Sequence, residues 1–178
     1  MVKKKSCLRD WIESFGIAVI IIFLLKAFVF FPTKVEGASM QPTLFEGDKV
    51  IVSKIVTYTH LYSRGDIIIL KTDASYVKRI IGLPGDLIEM REDALYVNGS
   101  VQAEPYLERN QKKAHHLMMN FTENFGPLTV PDGKVFVMGD NRLQSRDSRN
   151  GLGLIEKKNI VGKVELVYYP FKEIKRTK

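Results

Sequence analysis

Two segments of the chain combine residue types that could perform acyl transfer. The sequence GASMQPT at residues 37–43 places the Ser39 hydroxyl in a turn of small residues, just before a proline. The sequence YVKRII at residues 76–81 places two adjacent cations, Lys78 and Arg79, in an apolar, strand-like run. Because residues two apart in a strand share a face, one of these cations should point towards the more buried side.

A lysine in apolar surroundings can act as the base for such a serine. Burial disfavours the ammonium form and therefore lowers the lysine pKa. A fall from about 10.4 to about 7–8 corresponds to roughly 3–4 kcal/mol of differential destabilisation of the charged form. A neutral Lys78 amine would then accept the Ser39 proton. Considered separately, the serine is more typical of an ordinary turn, and the lysine of an ion-paired surface position.

Other catalytic chemistry has little support in the sequence. The three histidines are His60, His115 and His116, and the last two are adjacent in a polar, weakly periodic stretch. We interpret them as solvated loop residues, so neither a Ser-His-Asp triad nor a zinc site is favoured. The single cysteine, Cys7, excludes an internal disulfide and a Cys-rich zinc site. We predict neither a metal nor a cofactor.

The segment before the serine is typical of a membrane anchor. Residues 11–31 read WIESFGIAVIIIFLLKAFVFF, and a helix of that length spans about 31 Å, close to the ~30 Å hydrocarbon core. Pro32 should end this helix. Basic residues cluster before the segment, at Lys3, Lys4, Lys5 and Arg9. The positive-inside rule therefore predicts a cytoplasmic tail (1–10), an anchor (11–31) and an extracytoplasmic domain (32–178).

A cleaved signal peptide is the competing interpretation of this segment. The apolar core, residues 15–25, has a suitable length for one. However, a cut after Ala38 would place Glu36 three residues back, where a small residue is wanted. We therefore favour a retained anchor.

The rest of the chain has the pattern of antiparallel β structure. Short Val- and Ile-rich runs alternate with Gly, Pro and Asn turn signals, and Asn98-Gly99 is typical of a type I′ hairpin. Residues 104–128 are polar and resemble a cap-like excursion. We predict a mostly β fold with an N-terminal transmembrane helix and strands at Lys49–Val56, Asp66–Lys71, Tyr76–Ile81, Leu87–Met90, Ala94–Val97, Ser100–Gln102, Lys134–Met138 and Ile160–Tyr169.

The charge of the chain favours an anionic neighbour. The formal net charge is +7, with Lys172, Lys175, Arg176 and Lys178 near the C-terminus. No aromatic-basic stacking motif accompanies these residues, so we expect a solvated face or contact with anionic lipid rather than nucleic acid.

Four segments taken together resemble the type I signal peptidases, which are membrane-bound Ser/Lys proteases. SMQPT at 39–43 is similar to their nucleophile box, and Gly47-Asp48 with Val50 to the next box. YVKRIIGLPGD at 76–86 is similar to their general-base box, and GDNR at 139–142 followed by SRDSR at 145–149 to their last box. The boxes occur in the family's order behind a single anchor, as in the short form common in Gram-positive bacteria. An organellar relative from a eukaryote remains open.

The resemblance implies that Ser39 is the nucleophile and Lys78 its general base. In the family, the backbone N–H of the nucleophile forms the oxyanion hole, and some members add a hydroxyl two residues earlier. This chain has Gly37 at that position, so the second donor is missing or replaced. Three further roles are implied: Ser145 orients the lysine amine, Asp147 and Arg149 form a supporting ion pair, and Arg79 is a candidate further partner.

The resemblance also implies a substrate. The family removes signal peptides from secreted preproteins at the outer surface of the cytoplasmic membrane, cutting after small residues at positions −1 and −3. An extended substrate would bind as an added strand. The implied partners are preproteins and the lipid bilayer, and the candidate pocket residues are Val35, Met40, Leu44, Tyr76 and Val77.

Two other interpretations remain open at this point. A self-cleaving, repressor-type Ser/Lys protease would share the dyad, but it would need a helix-turn-helix DNA-binding domain where this chain has an apolar span. A non-catalytic, membrane-anchored binding or assembly module would not need Ser39 and Lys78 together.

Overall fold

A computed structural model describes the backbone from Cys7 to Thr177 and the side chains of these residues except 7–8 and 24–27. Most of the predicted cytoplasmic tail, residues 1–6, lies outside this description, as do the side chains of residues 24–27 of the predicted anchor. Within the described part, no helix combines the length and the apolarity that a membrane crossing requires.

The first helix, α1, spans Cys7–Val29 and is followed directly by a strand, β1 (Phe30–Lys34). The expectation that the helix continues to Phe31 and ends at Pro32 is therefore wrong. β1 pairs antiparallel with β2 (Lys49–Ser53), from Phe30 opposite Ser53 to Lys34 opposite Lys49. β1 lies at the edge of its sheet, where a strand tolerates Pro32 because proline's missing N–H can face away from the ladder.

The remaining elements confirm a mostly antiparallel β fold. The other strands are β3 (Ile67–Lys71), β4 (Ser75–Gly82), β5 (Leu87–Arg91), β6 (Ala94–Val97), β7 (Ser100–Gln102), β8 (Phe125–Thr129), β9 (Lys134–Met138), β10 (Ile155–Glu156), β11 (Ile160–Tyr169) and β12 (Lys175–Arg176). The helices after α1 are α2 (Ile55–Thr59), α3 (Glu108–His116) and three 3-10 turns at Pro105–Leu107, Lys157–Asn159 and Phe171–Glu173.

These strands form two antiparallel sheets. The larger has the order β1-β2-β11-β3-β4-β9-β10, with β12 paired to β11, and the smaller has the order β7-β6-β5-β8. The predicted hairpin is present, because Asn98 and Gly99 both have positive φ and Val97 pairs with Ser100. Every predicted run contains a strand, but the first stops at Ser53 because α2 begins at Ile55.

The cap-like excursion at 104–128 contains more structure than its sequence indicated. It holds the 3-10 turn Pro105–Leu107, the helix α3 and most of β8. Three spaced apolar side chains, Leu107, Ala114 and Phe121, form a small cluster of their own. The histidines His115 and His116 lie in the last turn of α3, exposed, and not in a loop.

The hydrophobic core positions β4 at the centre of the molecule. Val77 packs against a first cluster that contains Val35, Met40 and Leu44. Ile80 belongs to a second cluster and Ile81 to a third, which lies between the two sheets. Because apolar groups cover successive residues of this strand, its side chains are shielded on both faces.

The register of β1 leads to a test of where the folded domain begins. A variant that starts at Phe30 retains β1, whereas a variant that starts at Val35 removes it and leaves the edge of β2 uncovered. We expect the shorter variant to be about 1–2 kcal/mol less stable in urea unfolding, because the partly buried Phe31 is lost from the first cluster. Equal stabilities would show that β1 contributes nothing to the fold.

Candidate active site

Ser39 lies half-buried in the turn that follows β1. The turn is closed by backbone hydrogen bonds from Gln41 N–H to Ala38 O (3.2 Å) and from Leu44 N–H to Met40 O (3.0 Å). Met40 and Leu44 are buried in the first cluster and so fix the turn on the core. The serine hydroxyl is thereby held at the surface of a rigid element.

Lys78, on β4, meets this serine directly. Its Nζ lies 2.7 Å from Ser39 Oγ, and the side chain is only 2% exposed. Burial lowers the pKa of Lys78 to about 8; the carboxylates of Asp147 and Asp140 oppose this fall, and Arg149 adds to it. The amine can therefore lose its proton near neutral pH, as a general base must.

Arg79 is buried as well, which corrects the expectation that only one of the two cations would face the interior. It is 0% exposed because β4 is covered on both sides. Its guanidinium forms a two-pronged ion pair with Asp140, with Nε–Oδ1 at 2.9 Å and Nη2–Oδ2 at 2.7 Å, and stacks on the Tyr106 ring. Arg79 is therefore the partner of Asp140 and not a member of the Asp147–Arg149 pair.

The loop at residues 139–142 holds the turn that carries Ser39 in place. The buried carboxylate of Asp140 also accepts a hydrogen bond from the Thr43 hydroxyl. Asn141 donates from its backbone N–H to Ser39 O (3.0 Å) and from its side-chain Nδ2 to Ala38 O (3.1 Å). From α3, Asn110 Nδ2 donates to Gln41 O at 3.0 Å. Sequence reasoning gave Asp140 and Asn141 no individual roles, although both belong to the GDNR motif.

Asp147 and Arg149 form the predicted ion pair. Arg149 Nε and Nη2 each lie 2.9 Å from an Asp147 carboxylate oxygen, and Gly139 N–H donates to the same group at 3.1 Å. Burial by itself would raise the pKa of Asp147, but these partners hold it below its ordinary value. The carboxylate therefore stays charged near Lys78.

Ser145 lies beside the turn that carries Ser39, and its backbone carbonyl accepts a hydrogen bond from Asn150 Nδ2 at 3.1 Å. Its Oγ is buried and meets no group of the described residues with ordinary hydrogen-bond geometry, but it lies close enough to Asp147 to help lower the pKa of that carboxyl; no bond joins it to Lys78. A Cβ on Gly139 would lie 2.3 Å from Ser145 Oγ and 2.4 Å from Ser39 O. Glycine is therefore required at 139 for this close approach. The role of Ser145 in orienting the lysine remains a prediction.

Two clefts meet at Ser39 and Tyr76. The first is lined by Thr33, Lys34, Glu36, Ser39, Ile69, Ser75, Tyr76 and Val77, and the second by Gly37, Ala38, Ser39, Tyr76, Lys78, Gln144 and Arg146. Of the candidate pocket residues, Tyr76 and Val77 therefore line a cleft. The other three, Val35, Met40 and Leu44, are buried in the cluster that also contains the cleft residue Ile69. Across the part of the chain that the structure describes, no cluster of metal-ligating side chains is present.

Comparison with known proteins gives consistent matches along the chain. The family described as "Signal peptidase, peptidase S26" matches residues 8–169. A signal peptidase I of Bacillus licheniformis is 50% identical over 177 residues, which cover 98% of this chain and 95% of that protein. Signal peptidase I T of Bacillus subtilis (strain 168) is 49% identical over 179 residues, which cover 99% and 93%.

A solved structure is similar in both sequence and fold. It is the crystal structure of a signal peptidase I from Enterococcus faecalis V583, determined at 2.27 Å resolution, and it is 36% identical to this chain. The TM-score is 0.54, and the match covers 58% of this chain and 96% of that one.

The burial of Lys78 leads to a test by stability. Replacing it with methionine should stabilise the protein at pH 7 by about 1–3 kcal/mol, because the folded wild type carries a desolvated ammonium. The folded pKa is about 8 and the ordinary value is 10.5. The advantage of Lys78→Met should therefore be complete below pH 8 and disappear as pH rises from 8 to 10.5.

Urea unfolding of both proteins at pH 7 and pH 10 measures this difference. The matched control is Lys172→Met, since Lys172 is exposed and its replacement should not affect stability at either pH. A Lys78→Met protein that is less stable than wild type at pH 7 would contradict a desolvated amine.

Proposed function

Since the chain belongs to the signal peptidase family, peptidase S26, we propose that it removes the signal peptides of preproteins, with Ser39 as the nucleophile and Lys78 as the general base. One observation carries the assignment of the two residues. A lysine amine with a lowered pKa lies 2.7 Å from a serine hydroxyl at the meeting point of two clefts.

The proposed reaction follows from the position of these two groups. Ser39 Oγ attacks the carbonyl carbon of the scissile bond while its proton passes to the Lys78 amine. The tetrahedral intermediate places negative charge on the carbonyl oxygen, which the backbone N–H of Ser39 can stabilise. Lys78 then protonates the departing amine, which leaves an acyl-enzyme. Lys78 next removes a proton from a water molecule as the water oxygen attacks the acyl carbon. The bond from that carbon to Ser39 Oγ then breaks, Lys78 returns the proton to Oγ, and the acid leaves.

The proposed substrate geometry uses the first cleft. This cleft lies between the end of β1 with Glu36 just beyond it, on one side, and residues 75–77 of β4 on the other. An extended peptide between two such segments can add backbone hydrogen bonds without regard to its side chains. Tyr76 and Val77 restrict the space beside Ser39, which favours small residues at −1 and −3. This geometry would let one enzyme process many preproteins.

We propose that the part of the predicted anchor that α1 covers, residues 11–29, holds the enzyme in the cytoplasmic membrane, with the tail 1–10 in the cytoplasm and the domain that begins with β1 outside. The support is α1, a helix of roughly 35 Å whose large apolar side chains are more than half exposed at Trp11, Ile12, Phe15, Ile20 and Phe23. Such a surface is unfavourable in water. In a bilayer it would place enzyme and anchored preprotein in one plane and so raise their effective concentration.

Removal of either member of the dyad should abolish processing. Ser39→Ala and Lys78→Ala should each reduce cleavage of a purified preprotein by at least about 10³-fold, and the double variant should lose little more, because the two residues act as a unit. The assay is gel-based conversion of preprotein to mature protein. Ser100→Ala and Lys172→Ala, both at exposed positions, are the matched controls. Substantial cleavage by folded Lys78→Ala would refute the base assignment.

Replacing either member of the Asp147–Arg149 ion pair should shift the pH midpoint of kcat/KM, and the two shifts should have opposite directions. Only the neutral amine is a base, so wild-type kcat/KM should rise with pH around a midpoint near 8. Asp147 raises the pKa of Lys78 and Arg149 lowers it. Asp147→Asn should therefore shift the midpoint to lower pH, and Arg149→Met should shift it to higher pH.

Both variants should also be less stable by about 3–5 kcal/mol, because each leaves a buried charge without its partner. Peptide cleavage between pH 6 and 10, measured at a temperature where both variants remain folded, gives the two midpoints. Midpoints that move together, or do not move, would show that this ion pair does not set the charge state of Lys78.

A further inference from the structure

We propose that Asn141 is a positioning residue that fixes the Ser39 N–H in the direction needed to stabilise the oxyanion. The proposal rests on the proposed function, because it concerns the same acyl transfer. It assigns a task to a residue that forms no hydrogen bond with Lys78 or with the Ser39 hydroxyl and binds the backbone of the turn at residues 38–44.

Asn141 binds two consecutive carbonyl groups of that turn. Its backbone N–H donates to Ser39 O at 3.0 Å, and its side-chain Nδ2 donates to Ala38 O at 3.1 Å. The carbonyl of Ala38 also accepts from Gln41 N–H at 3.2 Å. The two peptide groups on either side of the Ser39 Cα therefore both have fixed orientations.

The orientation of the first peptide group determines where the Ser39 N–H points. The Ala38–Ser39 bond is trans, and the C=O and N–H of a trans peptide point in opposite directions within one plane. Anchoring Ala38 O on Asn141 therefore directs the Ser39 N–H away from Asn141. Among the described residues, this N–H donates to no acceptor. It is free to receive the charge that develops on a substrate oxygen.

The chemistry of the Asn141 side chain is defined by its partners. Nδ2 donates both to Ala38 O and to Gln144 Oε1, the latter at 3.1 Å. Both partners are oxygen acceptors, so the nitrogen of the amide, and not its oxygen, must face them. An aspartate of the same shape would place a carboxylate oxygen against the carbonyl oxygen of Ala38. The interaction with Ala38 would then be repulsive.

Asn141 itself rests on a rigid support. The preceding residue, Asp140, is fully buried between Arg79 and the Thr43 hydroxyl. Gly139 allows the loop to approach Ser39 closely, since a Cβ there would lie 2.4 Å from Ser39 O. Because Asn141 is itself held firmly, its hydrogen bonds can fix the orientation of the Ala38–Ser39 peptide group.

The sequence at Gly37 makes this orientation more important. A glycine has no side chain, so residue 37 cannot supply a hydroxyl to the oxyanion. The stabilisation then depends more heavily on the backbone N–H of Ser39. Preorganised donors of this kind contribute to the transition state and not to ground-state binding. A fault in orientation should therefore lower kcat and leave KM nearly unchanged.

The experiment compares Asn141→Asp and Asn141→Ala with wild type, each as the full chain in detergent, on a synthetic peptide that carries a signal-peptide cleavage site. We expect kcat to fall about 100-fold for Asn141→Asp and at least about tenfold for Asn141→Ala, with KM within about threefold. The matched control is Asn98→Asp, because Asn98 also donates from its side chain, to Asp86 at 2.9 Å, in a hairpin of the smaller sheet. It should lower stability but not kcat.

A peptide aldehyde of the same sequence distinguishes orientation from general damage to the fold. Ser39 Oγ adds to the aldehyde carbon, the serine proton passes to Lys78, and the aldehyde oxygen occupies the oxyanion position. Its inhibition constant should rise in the Asn141 variants by about the factor by which kcat/KM falls. The affinity for an uncleaved peptide with proline after the cleavage site should stay within about threefold.

Each outcome decides between the alternatives. Wild-type kcat in both Asn141 variants would overturn the inference, as would a loss confined to KM, an unchanged aldehyde affinity or an equal loss of kcat in Asn98→Asp. If Asn141→Asp does not fold, Asn141→Ala carries the test. A wild-type enzyme that does not cleave the peptide, or a Ser39→Ala variant that still cleaves it, would instead refute the proposed function.

Discussion

The burial of one amine against one hydroxyl is the constraint on which the rest of this structure depends. Lys78 must lose most of its hydration so that its pKa falls. The cost of burying its ammonium form must nevertheless stay small enough for the side chain to remain in the interior. The fold meets both needs with carboxylates nearby but not in contact. Asp147 and Asp140 attract the ammonium form, while their own direct partners are Arg149 and Arg79. The lysine pKa therefore settles at about 8.

The two arginine–carboxylate pairs give this arrangement its rigidity. Each guanidinium bonds a carboxylate with two nitrogens, a geometry that fixes direction as well as distance. Both carboxylates, Asp140 and Asp147, belong to the loop at 139–149. Asp140 also accepts a hydrogen bond from the Thr43 hydroxyl, and Asp147 accepts one from the Gly139 N–H. This loop therefore connects β4, which carries Lys78, to the turn that carries Ser39. Charge, and not apolar packing alone, sets the positions of the reacting groups.

The strands were largely predictable because their sequence pattern is local. Short apolar runs between turn signals indicated β6, β7, β9 and β11 with correct bounds. Asn98-Gly99 indicated the hairpin that joins β6 to β7. The elements that the pattern missed depend on partners distant in the sequence. β1 is a continuation of an apolar run that resembles a helix, and only its pairing with β2 makes it a strand. The polar helix α3 contributes only Ala114 to a small apolar cluster, whose other buried members, Leu107 and Phe121, lie on either side of the helix. One buried residue is too weak a pattern to predict a helix.

The sequence by itself predicted the candidate chemistry, from a serine in a tight turn and a lysine in an apolar strand. The order of four motifs gave the family resemblance, which implied the Asp147–Arg149 ion pair. Tertiary structure alone decided that Lys78 and Arg79 are both buried, that Arg79 pairs with Asp140, and that Asn141 binds the Ser39 turn. The physical reason is separation along the chain. Alternation within one strand shows which side chains share a face, but the burial of a face depends on other elements of the chain. Val77 packs against a cluster that contains Val35 and Val164, and Arg79 pairs with Asp140, 61 positions away.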